Sequence, residues 1–346
     1  MKKKIIFLYT ELASYSVACM NMASEEVDIM IVKYPVNDEA PFSFQLSDSL
    51  LVESRDQNSY NLLKKIVKFK AHTVVVSGWS DLSYLSIAFI LRYLVRSNAT
   101  IVVAFDNTWH GTRRQKLGKY ALRFLIKILF HKAWVSGPPQ KEYSRMLRIE
   151  DVSEGFYCCD TNLFKDIFSN RLFRGSSRTK KLLFVGRYVK QKGLEELCSA
   201  FINVTERTGC NWELYCVGTG ELFESRPRHP AIKHLGFVQP SDLGPIILEA
   251  HAFVLPSFCE PWGVVVQEMA ISGLPILTTN DVGSASVYVK EEINGYITDS
   301  RQTGLELGLE KLFGLSDVEL EKMSLGSNKI GMEYTIDNWV GILKNL

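Results

Sequence analysis

The sequence lacks the features that would place a chain of 346 residues in a specialised class. Its seven cysteines are odd in number and scattered, and none forms a C-x-x-C pair with metal-ligand spacing. We therefore expect free thiols, as in a reducing compartment, and neither a disulfide framework nor a structural zinc site. No stretch reaches the roughly 20 apolar residues that a membrane-spanning helix needs. No internal repeat or low-complexity segment is present.

An excess of charge of one sign is also missing, because 40 Lys and Arg residues are matched by 38 Asp and Glu residues and leave a net charge of +2. This balance gives no reason to expect a nucleic-acid partner. Residues 1–4 are basic like the start of a signal peptide, but the apolar run 5–9 ends at Thr10 and is too short for the hydrophobic region of such a peptide. We expect a cytoplasmic protein, either soluble or peripheral at the inner face of the membrane.

The length exceeds what one hydrophobic core usually serves, so two domains are expected. Short β-rich apolar runs alternate with longer helical patterns, notably 82–95 and 114–130, and this alternation predicts βαβ units around parallel sheets covered on both faces. The predicted fold class is α/β, with doubly wound sheets. The predicted strands are 5–9, 27–32, 73–77, 101–105, 133–136, 155–158, 182–185, 213–217, 232–235, 252–255, 276–278 and 295–298.

The domain boundary is predicted in the polar, basic stretch 171–181, which has Gly-Ser-Ser near its centre. The predicted domains are 1–173 and 174–328. The segment 329–346 follows them and ends in a helical pattern over 334–346. Because ligands bind outside the carboxyl ends of strands in open α/β sheets, the segments that follow strands are the ones that carry candidate sites.

The most informative segment is 256–268, which follows a predicted strand and leads into a helix. Pro261 and Gly263 shape the turn, and free backbone amides at a helix start suit an anionic or polyhydroxylated ligand. If the helix starts close to Glu260, that carboxylate and the one of Glu268 lie near one side, about two turns apart. Taken alone, such a pair is typical of a solvated helix face. The flanking Pro261, Trp262 and Gly263 favour a site.

A second segment, 184–193, ends the first predicted strand of the C-terminal half with Gly186-Arg187 and has Lys192 five residues later. An arginine fork and a lysine charge beside a helix N-terminus suit a diphosphate and stabilise the negative charge that develops when a phosphate leaves. The alternative is a solvated basic turn. Lys190 in the same turn fits that alternative.

The C-terminal half resembles the retaining glycosyltransferases of family 4, because Glu260 to Glu268 matches their E-x7-E motif and the stretch from 256 to 297 follows their pattern. The resemblance implies the GT-B fold, in which two Rossmann-like domains face each other across a cleft. In that fold residues 1–173 would bind the acceptor and residues 174–328 the nucleotide-sugar donor, and the C-terminal segment 329–346 would cross back to the N-terminal domain. It implies that Glu260 contacts the transferred sugar and Glu268 the ribose of the nucleotide. It also implies that Arg187 and Lys192 neutralise the diphosphate.

Two weaker motifs lie between these segments. Gly218 opens a G-x-G turn, but Phe223 stands where a dinucleotide fingerprint has its third glycine, so a dehydrogenase is not favoured. Phe237 and Val238 lie in a stretch that resembles the loop receiving the nucleotide base, and Phe237 is equally suited to the core. The predicted donor-binding residues are Gly186, Arg187, Lys192, Gly218, Phe237, Val238, Glu260, Trp262, Gly263, Val264 and Glu268.

The N-terminal half offers one site candidate, the loop 104–114, in which relatives often carry a His or Asp near the transferred sugar. Asp106 and His110 are both catalytic candidates, alongside Arg187, Lys192 and Glu260. A lone loop histidine is more often structural, and Asp106-Asn107 also fits a helix-capping turn. The following helix, 116–132, mixes basic and apolar residues. It suits either an anionic membrane surface or, the preferred alternative, a core-facing helix with a solvated basic side.

The combined expectation is transfer of a sugar from a nucleoside diphosphate, UDP or GDP, to a hydroxyl acceptor with retained anomeric configuration. The acceptor is expected to be a glycan or lipid-linked molecule of bacterial-type surface glycan or glycolipid synthesis. No cofactor and no metal are expected, because the two cations take the role of a divalent ion and no D-x-D-like pair adjoins them. Two alternatives remain, a non-catalytic nucleotide-sugar-binding protein of the same fold and a nucleotide-sugar epimerase.

Overall fold

The structure, a computed structural model, describes residues 2–35, 43, 45–56, 58–171 and 179–346. It divides the chain into two compact units. The first comprises Met1–Cys159 together with Tyr334–Leu346, and the second is Asp160–Glu333. The predicted boundary between residues 173 and 174, and most of the predicted linker, lie outside the described residues.

The first unit is built on parallel strands that are connected by helices. Its elements, labelled in chain order, are β1 (Lys4–Tyr9), α1 (Ser14–Ala23), β2 (Asp28–Lys33), β3 (Leu51–Ser54), α2 (Ser59–Phe69), β4 (Thr73–Ser77), α3 (Leu82–Phe89), β5 (Thr100–Phe105), α4 (Arg113–Leu129), β6 (Lys132–Val135), α5 (Pro138–Met146), β7 (Val152–Glu154) and, at the far end of the chain, α13 (Ile336–Asn345). A π-helical turn, Ile90–Leu94, continues α3. In the described part of the chain the sheet has seven strands in the order β3-β2-β1-β4-β5-β6-β7, and every pair is parallel.

Strands β1, β2, β4, β5 and β6 read as largely apolar runs because both of their faces are buried. In β1, Ile6 and Leu8 face one core cluster while Ile5 and Phe7 face the other, as the alternation of side chains along a strand requires. The segment after β7 corrects one prediction, since residues 155–158 are not a strand. The backbone turns at Gly155, where φ is 86°, and the strand that pairs with β6 precedes it.

The C-terminal helix α13 completes the core of the first unit. Trp339 is buried, and its ring lies 6.2 Å from that of Phe7 and 5.1 Å from that of Trp134, centroid to centroid. Its indole Nε1 donates a hydrogen bond of 2.9 Å to the carbonyl oxygen of Phe156. The return to the first unit therefore begins at Tyr334, five residues after the predicted 329.

The second unit has the same construction. Its elements are α6 (Thr161–Arg171), β8 (Lys180–Val185), α7 (Leu194–Thr208), β9 (Trp212–Val217), β10 (Ile232–Gly236), α8 (Gly244–Glu249), β11 (Ala252–Leu255), α9 (Val264–Ile271), β12 (Ile276–Thr279), α10 (Ala285–Tyr288), β13 (Gly295–Thr298), α11 (Gln302–Phe313) and α12 (Asp317–Gly331). Within the described ranges its sheet has six parallel strands in the order β10-β9-β8-β11-β12-β13. The predicted class, α/β with two doubly wound Rossmann-like units, is confirmed.

Helix α6 belongs to the second unit, although the sequence placed residues 161–171 in the first. The reason is packing, since α6 lies against α8 and α9. The ring of Phe168 covers Gly273, and a Cβ at this glycine would overlap the ring. Arg171 donates a hydrogen bond of 3.1 Å to the carbonyl oxygen of Ile247 in α8.

Candidate functional site

The strand order of the second unit singles out one edge position for a ligand. The chain runs outward from β8 to β9 and β10, then returns to β11 and runs outward the other way through β12 and β13. The switch point therefore lies between β8 and β11, and ligands of open α/β sheets bind outside the carboxyl ends of the strands at such a point. The two loops that flank it are 186–193 and 256–263, the two segments with the strongest motifs.

The backbones of these two loops are in contact. Residues Lys190–Lys192 form a 3₁₀ turn that ends at Gly193, whose φ of 67° is left-handed and whose added Cβ would overlap the carbonyl oxygen of Pro256. The amide of Phe258 donates a hydrogen bond of 2.9 Å to the carbonyl oxygen of Gln191. A glycine at position 193 is thus required both by its conformation and by the close approach of the neighbouring loop.

Two of the predicted catalytic side chains meet where the loops touch. The ammonium group of Lys192 is bonded to the carboxylate of Glu260, and the two side chains retain 17% and 14% of their exposure. Arg187 lies on the same loop as Lys192 and is exposed, and across residues 2–35, 43, 45–56, 58–171 and 179–346 no ion pair includes it. The loops at the switch point thus hold an exposed guanidinium as well as a paired ammonium and carboxylate.

Glu260 is fixed by backbone hydrogen bonds to the loop that follows β12. Its amide donates to the carbonyl oxygen of Asp281 at 3.0 Å, and its own carbonyl accepts from the amide of Gly283 at 3.0 Å, around a parallel bridge to Val282. A Cβ at Gly283 would overlap the carbonyl oxygen of Pro261, so this second loop needs a residue without a side chain there. The orientation of the Glu260 carboxylate is therefore set by three loops.

The helix after this loop starts later than the sequence suggested. Gly263, with φ of 86°, is the N-cap of α9, which begins at Val264. The expectation that Glu260 and Glu268 share one side of a helix is therefore wrong. Glu260 lies in extended backbone bridged to Val282, and only Glu268 is helical.

Gly263 and Val264 place the first amides of α9 at this edge, as expected for an anion site. Trp262 has a different place. Its side chain is only 3% exposed and packs edge-on to Tyr288 at 6.3 Å, so it contributes packing and not a solvent-facing surface. Within the described parts of the chain, the indole nitrogen of Trp262 and the hydroxyl of Ser257 on the same loop lack hydrogen-bond partners.

Glu268 has an unusual protonation equilibrium. Burial raises the pKa of its carboxyl from 4.5 to about 7, and the nearby carboxylate of Asp160 adds a smaller contribution of the same sign. Its side chain retains partial exposure on α9. Around neutral pH this carboxyl is therefore poised between a hydrogen-bond acceptor and a neutral donor.

The G-x-G turn after β9 allows two backbones to approach. Gly218 and Gly220 have φ of 134° and 154°, and a Cβ at either would overlap the backbone of Gly186 or Tyr188. The amide of Gly186 donates to the carbonyl oxygen of Val217 at 3.0 Å. Gly218 and Gly186 thus bring the ends of β8 and β9 together beside the Arg187 loop.

Phe237 and Val238 follow β10 at the edge of the sheet. Both are partly exposed, so neither is a full member of the core. The two interpretations of Phe237, a core residue or part of a base-binding loop, therefore both remain.

The structure separates the two candidates of the N-terminal half. The carboxylate of Asp106 accepts a hydrogen bond of 3.2 Å from the hydroxyl of Tyr157, and its carbonyl oxygen accepts one of 2.9 Å from Gln140. His110 is exposed, with its ring nitrogen 2.8 Å from the Thr108 hydroxyl. The capping interpretation of Asp106 is wrong, since the capping box of α4 is made by other residues, Thr112 and Gln115.

Helix α4 has a core side and an apolar outer side. Ile126 and Leu129 are buried, as the preferred alternative requires. The opposite side is not merely basic, because Leu117, Tyr120 and Phe124 are 79%, 63% and 70% exposed. The helix also carries six Lys and Arg residues and no Asp or Glu.

Among the described residues, every helix is too short or too polar to span a lipid bilayer. No group of three or more His, Cys, Asp or Glu side chains in those ranges is arranged to hold a metal ion.

Comparison with known proteins gives one family-model match, in the second half of the chain. Residues 170–323 match the family model described as glycosyl transferases group 1. Among curated proteins, an uncharacterised glycosyltransferase of Methanocaldococcus jannaschii is 29% identical over 170 residues, which are 46% of this chain and 42% of that protein. A glycogen synthase of Mycobacterium tuberculosis is 31% identical over 143 residues, 39% of this chain and 32% of that protein. The matched segments thus span about two fifths or less of these relatives.

The whole chain is similar in fold to two solved structures. Sucrose-phosphate synthase from Thermosynechococcus elongatus has a TM-score of 0.75 at 12% identity, covering 99% of this chain and 98% of that one. The Anabaena protein HepE, solved with UDP and glucose, has a TM-score of 0.69 at 15% identity, covering 99% and 100%. The chain therefore has the GT-B fold.

The segment that matches the family model contains every predicted donor-binding residue, from Gly186 to Glu268, whereas Asp106 and His110 lie outside it. Sequence reasoning did not identify the contact between Lys192 and Glu260, nor the hydrogen bond from Tyr157 to Asp106. The opposite charges that follow two apolar strands are a sequence signal for the contact between Lys192 and Glu260. The hydrogen bond from Tyr157 has no such signal, because the sequence predicts a strand at 155–158.

Proposed function

We propose that this protein transfers a sugar from a nucleoside diphosphate sugar to a hydroxyl group and retains the anomeric configuration. One observation carries the proposal. Lys192 and Glu260 meet at the switch point of a group 1 glycosyltransferase domain, beside the exposed guanidinium of Arg187. Two cations and one carboxylate suit a diphosphate attached to a polyhydroxylated ring.

Each side chain has a proposed part in the reaction. Arg187 and Lys192 stabilise the diphosphate as the bond between sugar and phosphate breaks and its electron pair passes to the phosphate oxygen. Glu260 accepts hydrogen bonds from sugar hydroxyls, and Glu268 from the ribose. The amides of Gly263 and Val264 at the start of α9 add donors for the phosphates.

We further propose that the donor carries UDP or GDP and that the cations make a bound divalent metal unnecessary. The names of the relatives support a nucleotide sugar, and HepE has been solved with UDP and glucose. No redox or other organic cofactor is required by such a transfer. The acceptor is proposed to be a glycan or lipid-linked molecule of surface glycan synthesis, handled in the cytoplasm.

Helix α4 supports a peripheral contact with the inner face of the membrane. The outer stripe of Leu117, Tyr120 and Phe124 is spaced at three and four residues, so it forms one face of the helix. Six cations and no acidic residue on the same helix complement anionic headgroups. A soluble acceptor would give no reason to keep three large apolar side chains in water beside these charges.

The donor reaction is tested by incubating the protein with a panel of nucleotide sugars, with and without chelator, and measuring release of nucleoside diphosphate. The Arg187→Ala, Lys192→Ala double variant is expected to lose at least about a hundredfold in rate. Lys190→Ala, in the same turn but exposed, is the matched control and is expected to retain activity. Full activity of the double variant would contradict the roles assigned to Arg187 and Lys192.

Product analysis separates the alternatives. A non-catalytic protein would be stabilised by a nucleotide sugar against heat without releasing nucleoside diphosphate. An epimerase would return a different sugar. Retention is read from the anomeric proton of the glycoside product, and an inverted product would overturn that part of the proposal.

A further inference from the structure

The first unit has its own switch point. The chain runs outward from β1 through β2 to β3, then returns to β4 and continues through β5, β6 and β7 on the other side. The edge position for a ligand is therefore between the carboxyl ends of β1 and β4. The loops that surround it are 10–13, 78–81 and 106–111, and the last of these holds Asp106 and His110.

Two tryptophans stand on these loops above a buried aromatic base. Trp79 follows β4, and its ring lies 4.8 Å from that of Phe105 and 6.1 Å from that of Tyr143. Trp109, on the loop after β5, lies 5.6 Å from the same Tyr143 ring. Phe105 and Tyr143 are buried, whereas both tryptophans keep partial exposure. Rigid support and partial exposure are what an aromatic stacking surface needs.

The indole nitrogens of these tryptophans distinguish them from a purely structural one. Trp339 satisfies its Nε1 with the carbonyl oxygen of Phe156. In the part of the chain that the structure describes, neither Trp79 nor Trp109 makes a hydrogen bond through its indole nitrogen. Each therefore has one N–H donor left for a ligand or for water.

The charges of the three loops select the ligand's chemistry. The loops carry the acidic residues Glu11, Asp81 and Asp106 and contain no lysine or arginine. A phosphorylated or nucleotide ligand would meet these carboxylates, and the loops themselves supply no cation to balance it, since Arg55, whose charge acts on Tyr34 and Tyr84 beside Asp81, lies outside them. A neutral polyhydroxylated ring is favoured, because its apolar C–H face packs on an indole and its hydroxyls bond to carboxylates and to the exposed Asn107 and His110.

We infer that Trp79 and Trp109 form a binding site for a neutral pyranose ring, stacked on an indole. The inference rests on the proposed function, because it assigns the acceptor a chemical class, an uncharged saccharide. The two tryptophans provide the stacking face. Asp106, on the same loop as Trp109, accepts hydrogen bonds from the ring hydroxyls and so orients the ring.

The test uses saturation-transfer NMR on the whole protein with a panel of methyl glycopyranosides. Ring C–H protons of at least one glycoside are expected to receive saturation. Trp109→Ala and Trp79→Ala are expected to weaken this binding at least about tenfold, whereas Trp109→Phe, which keeps an aromatic face, should retain most of it. Tyr60→Ala removes an exposed aromatic from the same unit, outside the three loops, and is the matched control, with no change expected.

Three results would overturn the inference: no glycoside binds, the alanine variants bind as well as the natural protein, or a sugar phosphate binds more tightly than the neutral glycoside. Thermal stabilisation by UDP or GDP is measured on each variant to show that the fold and the donor site are intact. Release of nucleoside diphosphate from the donor tests the proposed function separately. Failure of glycoside binding is thus distinguishable from failure of the donor reaction.

Discussion

The ammonium of Lys192 is bonded to the carboxylate of Glu260 across 68 positions of sequence. Both side chains are largely shielded from solvent, so each supplies the other's main countercharge. A diphosphate that binds at this switch point must share Lys192 with Glu260. Binding of the donor and the stability of the two loops are consequently linked.

Replacing one partner of this pair is expected to change nucleotide binding in opposite directions. Glu260→Gln should destabilise the free protein by about 1–3 kcal/mol, since the lysine loses its countercharge, and UDP or GDP should then raise the melting temperature more than in the natural protein. Lys192→Met should lose most of the nucleotide-dependent shift, because an unpaired carboxylate faces the phosphates. Thermal melts with and without nucleotide check this. Equal nucleotide shifts in both variants would contradict the shared-lysine arrangement.

The glycine at the start of α7 is expected to be more sensitive than the one at its end. Gly193 and Gly209 have similar left-handed φ of 67° and 65°, but an added Cβ meets the Pro256 carbonyl only at Gly193. Gly209→Ala should cost about 1 kcal/mol of unfolding free energy for backbone strain alone. Gly193→Ala should cost more and lower transfer activity, since the turn carrying Lys192 must shift.

Denaturant melts of the two variants, together with donor assays, make this comparison. Gly209→Ala is the matched control because it changes the same helix with the same substitution. Equal stability losses and equal activities in the two variants would show that the contact with the Pro256 loop is unimportant.

The stability of the protein is expected to fall as pH rises toward neutrality through the ionisation of Glu268. Its pKa is raised from 4.5 to about 7 in the folded protein, so between these values the folded state keeps a proton that the unfolded state has lost. The contribution is fully present below pH 4.5 and lost as pH rises through 7. Glutamine cannot ionise, so Glu268→Gln should remove this loss of stability. The variant's unfolding free energy should exceed that of the natural protein by about 1–3 kcal/mol between pH 5 and 8.

Urea melts at several pH values measure this difference. Glu321→Gln, which replaces an exposed glutamate, is the control and should track the natural protein. A difference between Glu268→Gln and the natural protein that does not vary with pH would show that the carboxyl titrates normally.

Cys259 provides a chemical probe of the candidate site. Its thiol is exposed and directly precedes Glu260, whereas Cys210 is only partly exposed and lies elsewhere, after α7. A bound nucleotide sugar should cover the first thiol and slow its alkylation by iodoacetamide severalfold. Peptide mass spectrometry follows both cysteines, and Cys210 should react at an unchanged rate. Unaltered alkylation of Cys259 at saturating nucleotide sugar would place the donor away from this loop.

The outer face of α4 is expected to bind anionic vesicles. A triple replacement of Leu117, Tyr120 and Phe124 by serine should reduce cosedimentation with phosphatidylglycerol vesicles at least about tenfold, because the apolar anchor is lost while the charges stay. Neutral phosphatidylcholine vesicles should bind weakly, and salt should weaken the anionic interaction.

A matched control for this prediction replaces three exposed apolar residues of the second unit, Leu307, Val318 and Leu325, by serine. This variant should bind vesicles like the natural protein. Equal loss in both triple variants would indicate a general effect of surface polarity, and equal binding of charged and neutral vesicles would remove the role of the cations.

Much of the fold could be read from the sequence because most strands are buried on both faces. The pattern failed at β3 (Leu51–Ser54), an exposed edge strand with two polar residues in four, and at 155–158, where extended apolar residues follow a turn. A buried apolar segment that pairs with no neighbouring strand has the same composition as a strand, so composition does not distinguish the two.

The site was less predictable, since it depends on strand order. The opposite charges of Lys192 and Glu260 follow two apolar strands and suit a contact, but they do not show that the two loops are neighbours, because adjacency follows from β8 pairing with β11. The start of α9 was also misplaced, because the left-handed Gly263 and the bridge from Glu260 to Val282 are long-range features.

The placement of α13 has a consequence for synthesis of the chain on the ribosome. The core around Phe7 and Trp134 lacks Trp339 until residues that follow the entire second unit have been made. All residues of the second unit, which is continuous in sequence, are therefore synthesised before the first unit is complete. Until α13 is made, part of the apolar surface of the N-terminal sheet stays uncovered. During synthesis, the unit that begins first in the sequence is thus the last to be completed.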